Sequence, residues 1–429
     1  MKKILLICFA LVSAFAQAQW TPKNILPTNS ALNSIFFPTA NTGYAVGYDY
    51  NSSVGIIIKT IDGGDTWDTL SSGTVAQLNS VYFPDTNTGY VVGGAGDWEN
   101  GAGIILKTID GGKTWNTLWS DTSSLLNSVF FTDVATGYAV GYDFNSYVGK
   151  IIKTIDGGAT WDTLSRGTDD LRQVFFADVN TGYATGGRYY NGGDFGTFLK
   201  TTDGGTTWTT ISSVPNFYSI YFTNADTGYG VGGKDEGGER PDFRGYIYKT
   251  TDGGITWTCL LSGIGEIIHS VYFTDTNTGY AACSRILKTI DGGATWIEVW
   301  SGSGGVNSFF FTETNTGYAV GYEVLTGGTI LKTTNGGGLV SIKETSNPQS
   351  SFTIYPNPAS TKISITTTSN KSNEQVQISI FSINGQLIRS DKFQKPERFD
   401  MDVSTMQKGI YLMRIQSTEG VETQKLVLQ

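Results

Sequence analysis

The side chains best equipped for chemistry sit where a repeated phrase changes. Seven times the chain runs through a segment of the type Leu-Asn-Ser-Ile-Phe-Phe. Its second position reads Asn33, Asn79, Asn127, Arg172, Tyr218, His269 and Asn307. Four amides are thus interrupted by a guanidinium, a phenol and the one imidazole of the chain. In an alternating strand this position points the same way in every copy. Arg172, Tyr218 and His269 are therefore expected as neighbours in a polar pocket, with Arg166 and Asp170 beside them. The same pattern also fits plain drift among solvated positions. A second set of residues pairs aromatics with acids: Tyr48, Asp49 and Tyr50; Asp97, Trp98 and Glu99; Tyr142, Asp143, Phe144 and Tyr147; Tyr189, Tyr190 and Asp194; Asp235, Glu236 and Asp242. Such pairs suit sugar faces and hydroxyls, or a protein surface, or simply cap the strands around them. A single His excludes a multi-histidine metal centre, and no Ser has evident triad partners. Carboxylates are plentiful, but spacing singles out no pair for acid–base work. No metal and no cofactor are expected.

The elements that must hold these residues come from the repeat. The phrase Lys-Thr-Ile-Asp-Gly-Gly-x-Thr-Trp recurs and ends in Trp67, Trp115, Trp161, Trp208, Trp257 and Trp296; the seventh copy, through Asn335-Gly336-Gly337, has no Trp. Trp20 stands 12 residues before Leu32, much as Trp67 stands 11 before Leu78. The N-terminal segment therefore reads as the missing end of the seventh unit, with 20–26 pairing against 330–334 and Trp20 closing a ring. Each unit carries four short runs rich in Val, Ile, Tyr, Phe and Thr, such as 78–83, 89–93, 104–108 and 114–118. A Gly-Tyr marker recurs at spacings of 46, 48, 45, 46, 51 and 38. Four strands per period of this length indicate an all-β fold, a seven-bladed β-propeller closed by the N-terminal strand. Helix should be scarce. Asp62, Asp110, Asp156, Asp203, Asp252 and Asp291 are expected to be structural, each accepting a backbone N–H two residues on in an Asx-turn, with the two Gly residues supplying positive φ. Asp85-Thr-Asn87-Thr-Gly89 and Asp275-Thr-Asn277-Thr-Gly279 lack the closing Glu of a calcium loop and read as hairpin turns.

These phrases resemble the Asp-box repeats of sialidase-like propellers. They are closer still to the photosystem II assembly-factor-like repeats, which share Asn-Thr-Gly-Tyr-Ala-Val-Gly and Lys-Thr-x-Asp-Gly-Gly-x-Thr-Trp. The resemblance covers most of the chain and speaks to fold. Sialidase chemistry would imply an Arg triad, a Tyr nucleophile with its Glu and an acidic donor. The propeller offers Arg166, Arg172, Arg188, Arg240, Arg244 and Arg285, and the Phe-Arg-Ile-Pro phrase is missing. Propellers that cut xyloglucan use two carboxylates across a cleft, usually between two propellers; this chain has one.

Residues 1–18 have the order of a secretory signal: Lys2-Lys3, an apolar run, then Ala16-Gln17-Ala18. No transmembrane segment is expected in the mature chain. Cys259 and Cys283 fall in adjacent units, and either a disulfide or two separate thiols would fit. Between 19 and 350 the chain carries 18 basic and 31 acidic residues, a net of −13, which argues against nucleic acid as a partner. The pattern changes after a polar linker at 338–351, so that the propeller spans 19–337. Short alternating runs fill 352–429, with Asn384-Gly385 as a hairpin turn, and suggest a small Ig-like β-sandwich. This tail resembles the C-terminal sorting domain of the type IX (Por) secretion system through Tyr355-Pro356-Asn357-Pro358, Ile383-Asn384-Gly385, Gly409-Ile410-Tyr411 and the closing Lys425-Leu426-Val427-Leu428-Gln429. The resemblance implies export through the outer membrane by the type IX machinery acting on 352–429, removal of the tail, and attachment of the cargo to the cell surface. The expected function is a secreted or surface-displayed binding or adhesion protein for glycan or protein, without catalysis. The alternative is a propeller glycoside hydrolase using loop carboxylates.

Overall fold

Strands account for all the regular structure of the computed structural model among the described residues, which are 20–24, 26–94, 102–166, 169–187, 196–235, 243–338, 352–367, 375–382, 387–394, 398–417 and 420–429. The expected signal segment 1–18, nearly all of the expected linker 338–351, the expected turn at Asn384-Gly385, Trp98 and Tyr189 lie outside them. No helix among the described residues is long and apolar enough to cross a membrane. Between 20 and 338 the strands form seven four-stranded antiparallel sheets, in the manner of a β-propeller. The first runs Ser30–Phe36, Gly43–Asp49, Val54–Thr60 and Asp68–Leu70, from inner to outer strand. Five more follow at 77–121, 124–166, 171–214, 217–264 and 270–301. The seventh combines Gly305–Phe311, Gly317–Glu323 and Gly327–Thr333 with Thr21–Asn24 as its outer strand, Thr21 facing Lys332 and Asn24 facing Thr329.

The apolar phrase of the inner strand builds the contacts between sheets. Its sixth residue (Phe37, Phe83, Phe131, Phe176, Phe222, Phe273 or Phe311) stacks on the Gly-Tyr tyrosine of the preceding sheet at 3.7–4.4 Å. The same ring meets a Trp edge-on at 5.9–6.2 Å. Six of these Trp residues end the Asp-Gly-Gly phrase, and the seventh is Trp20 against Phe311 at 5.9 Å and 86°. The Gly of Gly-Tyr is obligatory for this layer: a side chain at Gly43 would overlap the Phe37 ring.

The Asp-Gly-Gly turn is held differently from the expected Asx-turn. Asp62 accepts the N–H of Thr66, four residues on, at 2.9 Å, and the Thr66 hydroxyl at 2.6 Å. The Thr60 hydroxyl donates to Asp62 and accepts from the Gly64 N–H. Two consecutive Gly residues at φ of 69° and 79° give the side chain this longer reach. These bonds hold the carboxyls of Asp110, Asp156, Asp203 and Asp252 down to about 2, and that of Asp62 lower still. The turn also fastens one sheet to the last. Tyr90 and Lys107 of the second sheet both donate to the Gly157 carbonyl of the third, at 2.7 and 2.6 Å. The same double donation reaches Gly111, Gly204, Gly292 and Gly336. Asp85 and Asp275 each accept two backbone N–H groups, two and three residues on, and so tie hairpin turns.

The disulfide alternative does not hold, because Cys259 and Cys283 are free thiols. Cys259 is exposed on an outer strand, and Cys283 is buried at the end of a second strand. Each thiol turns to a carbonyl of its own hairpin, Leu261 and Arg285 respectively. Burial pushes the Cys283 thiol up to about 11.

Among the described residues the tail has seven strands in two sheets, Phe352–Tyr355, Lys362–Thr367 and Arg398–Asp402 in one, and Gln375–Ser382, Leu387–Gln394, Gly409–Ser417 and Gly420–Leu428 in the other. Phe352, Ile363, Ile365 and Phe399 from the first share one core with Val376, Ile378, Met413 and Leu426 from the second. Asn357 of the Tyr-Pro-Asn-Pro phrase accepts the Val427 N–H and donates to the Lys425 carbonyl, which seats the phrase on the last strand.

Candidate functional site

The inner strands are not regular at their second residue. In six sheets the pairing register slips there, as between Leu32 and Ser34 around Asn33. A bulge of this kind leaves one residue unpaired and re-aims it. The freed amides reach sideways. Asn33, Asn79, Asn127 and Asn307 each donate to the carbonyl of the residue preceding the equivalent position in the next sheet: Leu78, Leu126, Leu171 and Leu32, at 2.8–3.0 Å. The residue after each bulge returns the favour at most interfaces, as when Ser34 accepts the Val81 N–H. Towards the Asp-Gly-Gly end, Phe36, Tyr82, Phe130, Phe175, Tyr221, Tyr272 and Phe310 form a collar of touching rings, 4.8–6.3 Å apart, that returns to its start.

The lacing of amides changes character in one sector. Arg172 lies over the Tyr218 ring at 4.1 Å and donates to Asn216 Oδ1 at 2.6 Å and the Gly187 carbonyl at 2.9 Å. Tyr218 in turn meets His269 edge-on at 5.6 Å. Asp170 accepts from Asn127 at 3.1 Å, and burial raises its carboxyl to about 6, against the pull of Arg172 and Asn127 and with a further push from Asp169. His269 is exposed, yet desolvation by its surroundings and then Arg172 hold the imidazole below its ordinary value, with Glu266 opposing. Glu266 pairs with Arg285 at 3.1 Å and accepts the Ser284 N–H. Despite burial, those donors hold the Glu266 carboxyl below its usual range.

Of the residues singled out by sequence, the structure thus brings together Arg172, Tyr218, His269 and Asp170. The backbone of Arg166 pairs with Lys150 in the third sheet, and its side chain lies outside the description. Tyr48 and Tyr142 stand apart, each paired edge-on with an aromatic of its own hairpin, Tyr50 at 5.1 Å and Phe144 at 5.3 Å. Trp98 and Tyr189 lie outside the described residues. Asn216 and Glu266 were not singled out by sequence, and Arg285 was named only among the arginines weighed for sialidase chemistry. Asn216 occupies the repeat position of Asp170, one before the inner-strand Leu, so aligning one residue earlier finds it. Among the described residues no group of three or more His, Cys, Asp or Glu could hold a metal ion.

Residues 353–429 match the family model of the secretion system C-terminal sorting domain, and 12–122 match that of the photosynthesis system II assembly factor YCF48. The sorting domain indicates export by the type IX system to the cell surface or beyond it. Comparison with curated proteins gives no match. Among solved structures the chain is similar to YCF48 bound to D1 peptide, at 20% identity and a TM-score of 0.55, over 73% of this chain and 96% of that one. It is also similar to the GH74 xyloglucanase of Xanthomonas campestris, at 10% identity and a TM-score of 0.54, over 92% of this chain and 59% of that enzyme. The WD40 repeats of RRP9 align at 12% identity and a TM-score of 0.50, over 73% and 97%. At these identities the likeness is one of fold.

Proposed function

We propose that this chain is a seven-bladed β-propeller closed by its N-terminal strand, carried out of the cell by an Ig-like sorting tail, and that it acts there as a binding or adhesion module without catalysis. The observation that carries the binding role is the interrupted lacing. Four blades use an amide at the second inner-strand position to bond a backbone carbonyl of their neighbour, whereas three contiguous blades carry Arg172, Tyr218 and His269 there, Arg172 bonding the side chain of Asn216. A guanidinium stacked on a phenol, beside an imidazole and Asp170, offers donors, acceptors and an aromatic edge in one sector of the ring. Such a group suits the hydroxyls of a glycan or the polar backbone of a peptide. That a propeller of this shape has been solved with a peptide bound supports the peptide side of the reading. The tail supports surface display or release, with the type IX machinery as the tail's own partner.

A glycoside hydrolase is the second reading. It draws on Asp170, whose carboxyl near 6 lies in the range useful to a general acid; hydrolysis also needs a second carboxylate facing it across the sugar. Glycan and peptide arrays with the wild type, Arg172→Ala and His269→Ala, set beside a reducing-sugar release assay, test both. Loss of an array signal in both variants, with no sugar released, is expected. Array signals unaltered by either substitution would remove the site, and sugar release abolished by Asp170→Asn would make the protein an enzyme.

A further inference from the structure

The first sheet has a short outer strand. Asp68, Thr69 and Leu70 pair with Lys59, Ile58 and Ile57, and the chain then departs. The second and fifth sheets keep their outer strands paired as far as Gly103 with Asp121 and Gly245 with Ile264. The departing loop still satisfies Gly55: the Gly55 N–H donates to the Thr74 carbonyl at 3.1 Å, and the buried Ser72 hydroxyl donates to the Gly55 carbonyl at 2.6 Å. The loop thus bonds Gly55 in place of a regular strand, and a gap remains beside it. The gap is a cleft of about 500 Å³. Leu26, Pro27, Val54, Ile56, Leu70 and Val75 give it apolar walls, and Asp49 is the one charged residue in its lining.

This apolar surface does not stop at the cleft. Val75 is 72% exposed, and on the neighbouring hairpin of the seventh sheet Val324 and Leu325 are 68% and 81% exposed. That hairpin abuts Pro27, since a side chain at Gly327 would overlap the Pro27 carbonyl. Exposed apolar side chains gathered beside an apolar cleft mark an interaction site. The charge beside it selects the partner. The Ser52 hydroxyl and the backbone N–H groups of Asn51 and Ser52 hold the Asp49 carboxyl below its ordinary value, so it is an anion at neutral pH. An apolar wall ending in a fixed anion complements an aliphatic stem ending in a cation. No aromatic side chain lines the cleft to stack a sugar. The propeller's own excess of acid opposes docking of a second copy.

We propose that this cleft docks an extended segment of a protein partner in which Arg or Lys neighbours an aliphatic residue. The aliphatic side chain and the cation's stem lie against Leu26, Ile56 and Val75, and the cationic head sits at Asp49. The site is separate from the Arg172 sector and does not depend on it. The test is fluorescence polarisation at about 0.15 M salt with a labelled peptide alternating leucine and arginine, beside counterparts with glutamate for arginine and serine for leucine. The first peptide should bind, and the other two should bind at least about tenfold more weakly. Val75→Arg, at an exposed position, should weaken the first peptide about tenfold without moving the melting temperature; Asp49→Asn should weaken it as well, and Arg172→Ala should leave it unaltered. The proposal is overturned by any of four results: no binding of the leucine–arginine peptide, equal binding of the glutamate peptide, indifference to Val75→Arg, or protection of the cleft by an oligosaccharide or by self-association in sedimentation.

Discussion

Replacing Trp20 by Ala perturbs the account at its most exposed joint. The indole is 2% accessible. It meets Tyr280 edge-on at 6.1 Å and Phe311 at 5.9 Å, and lies tilted on Phe309 at 5.9 Å. Ile286, Val299 and Leu331 complete its surroundings. Emptying such a site costs about 3–5 kcal/mol, of which each aromatic contact contributes ~0.5–1.5 kcal/mol beyond the area it buries. Among the described residues the indole N–H has no acceptor, so Trp20→Phe, which keeps a ring against the same neighbours, should cost less than ~1.5 kcal/mol. The Trp residues that end the other phrases are only partly buried, so Trp67→Ala should cost less than Trp20→Ala. Urea unfolding followed by near-ultraviolet circular dichroism reads all three. The expected order of midpoints is wild type, Trp20→Phe, Trp67→Ala, Trp20→Ala. A Trp20→Ala midpoint equal to the wild type would mean that the N-terminal strand contributes nothing to the seventh sheet, and the closure argument would fall.

Two further outcomes follow from individual contacts. Tyr90→Phe and Lys107→Met each remove one of two donors to the Gly157 carbonyl, so each should cost little, while the double variant should exceed their sum by about 1–3 kcal/mol, the penalty of an orphaned buried carbonyl, in a double-mutant cycle on urea midpoints. Burial raises the Asp170 carboxyl to about 6 in the folded protein, from an ordinary value of 3.8; the folded form therefore keeps a proton that the unfolded chain has lost between about pH 4 and 6, and stability falls as pH rises through that window. Asp170→Asn should raise the stability at pH 7.5 by on the order of 1–3 kcal/mol, and leave it nearly unaltered at about pH 2.5, where the carboxyl is protonated in the folded and the unfolded chain alike.

The repeat carried much of this in plain view. Trp20 was legible as the seventh Trp because six copies define the distance from Trp to the following Leu, and the aromatic layer has no room for a missing member. The second inner-strand position was legible as special, but its meaning was not. Asn33 acts through a bulge, and a bulge breaks the period of two on which reading a strand depends. The Lys of Lys-Thr-x-Asp-Gly-Gly looks like a solvated repeat residue, yet Lys59 and Lys107 donate to a carbonyl in the next sheet, a contact that no spacing within one unit encodes. The Asp of the same phrase was assigned to the right turn with the wrong reach, since two successive Gly residues carry its acceptor four residues along rather than two. Tyr48 and Tyr142 were singled out by composition as partners of nearby acids; their pairing with Tyr50 and Phe144 is decided by hairpins whose direction the sequence does not state. The two thiols fall in adjacent units, but adjacency in repeat number does not bring an outer strand to the end of a second strand.

Amide hydrogen exchange of the segment 20–26, measured by mass spectrometry on the native protein, tests the central claim most directly. Ring closure predicts that the amides of Thr21–Asn24, paired with 329–332, are protected as strongly as those of the sixth sheet's outer strand, Ile297–Ser301. Exchange at the rate of a free chain end, with 297–301 still protected, would contradict it.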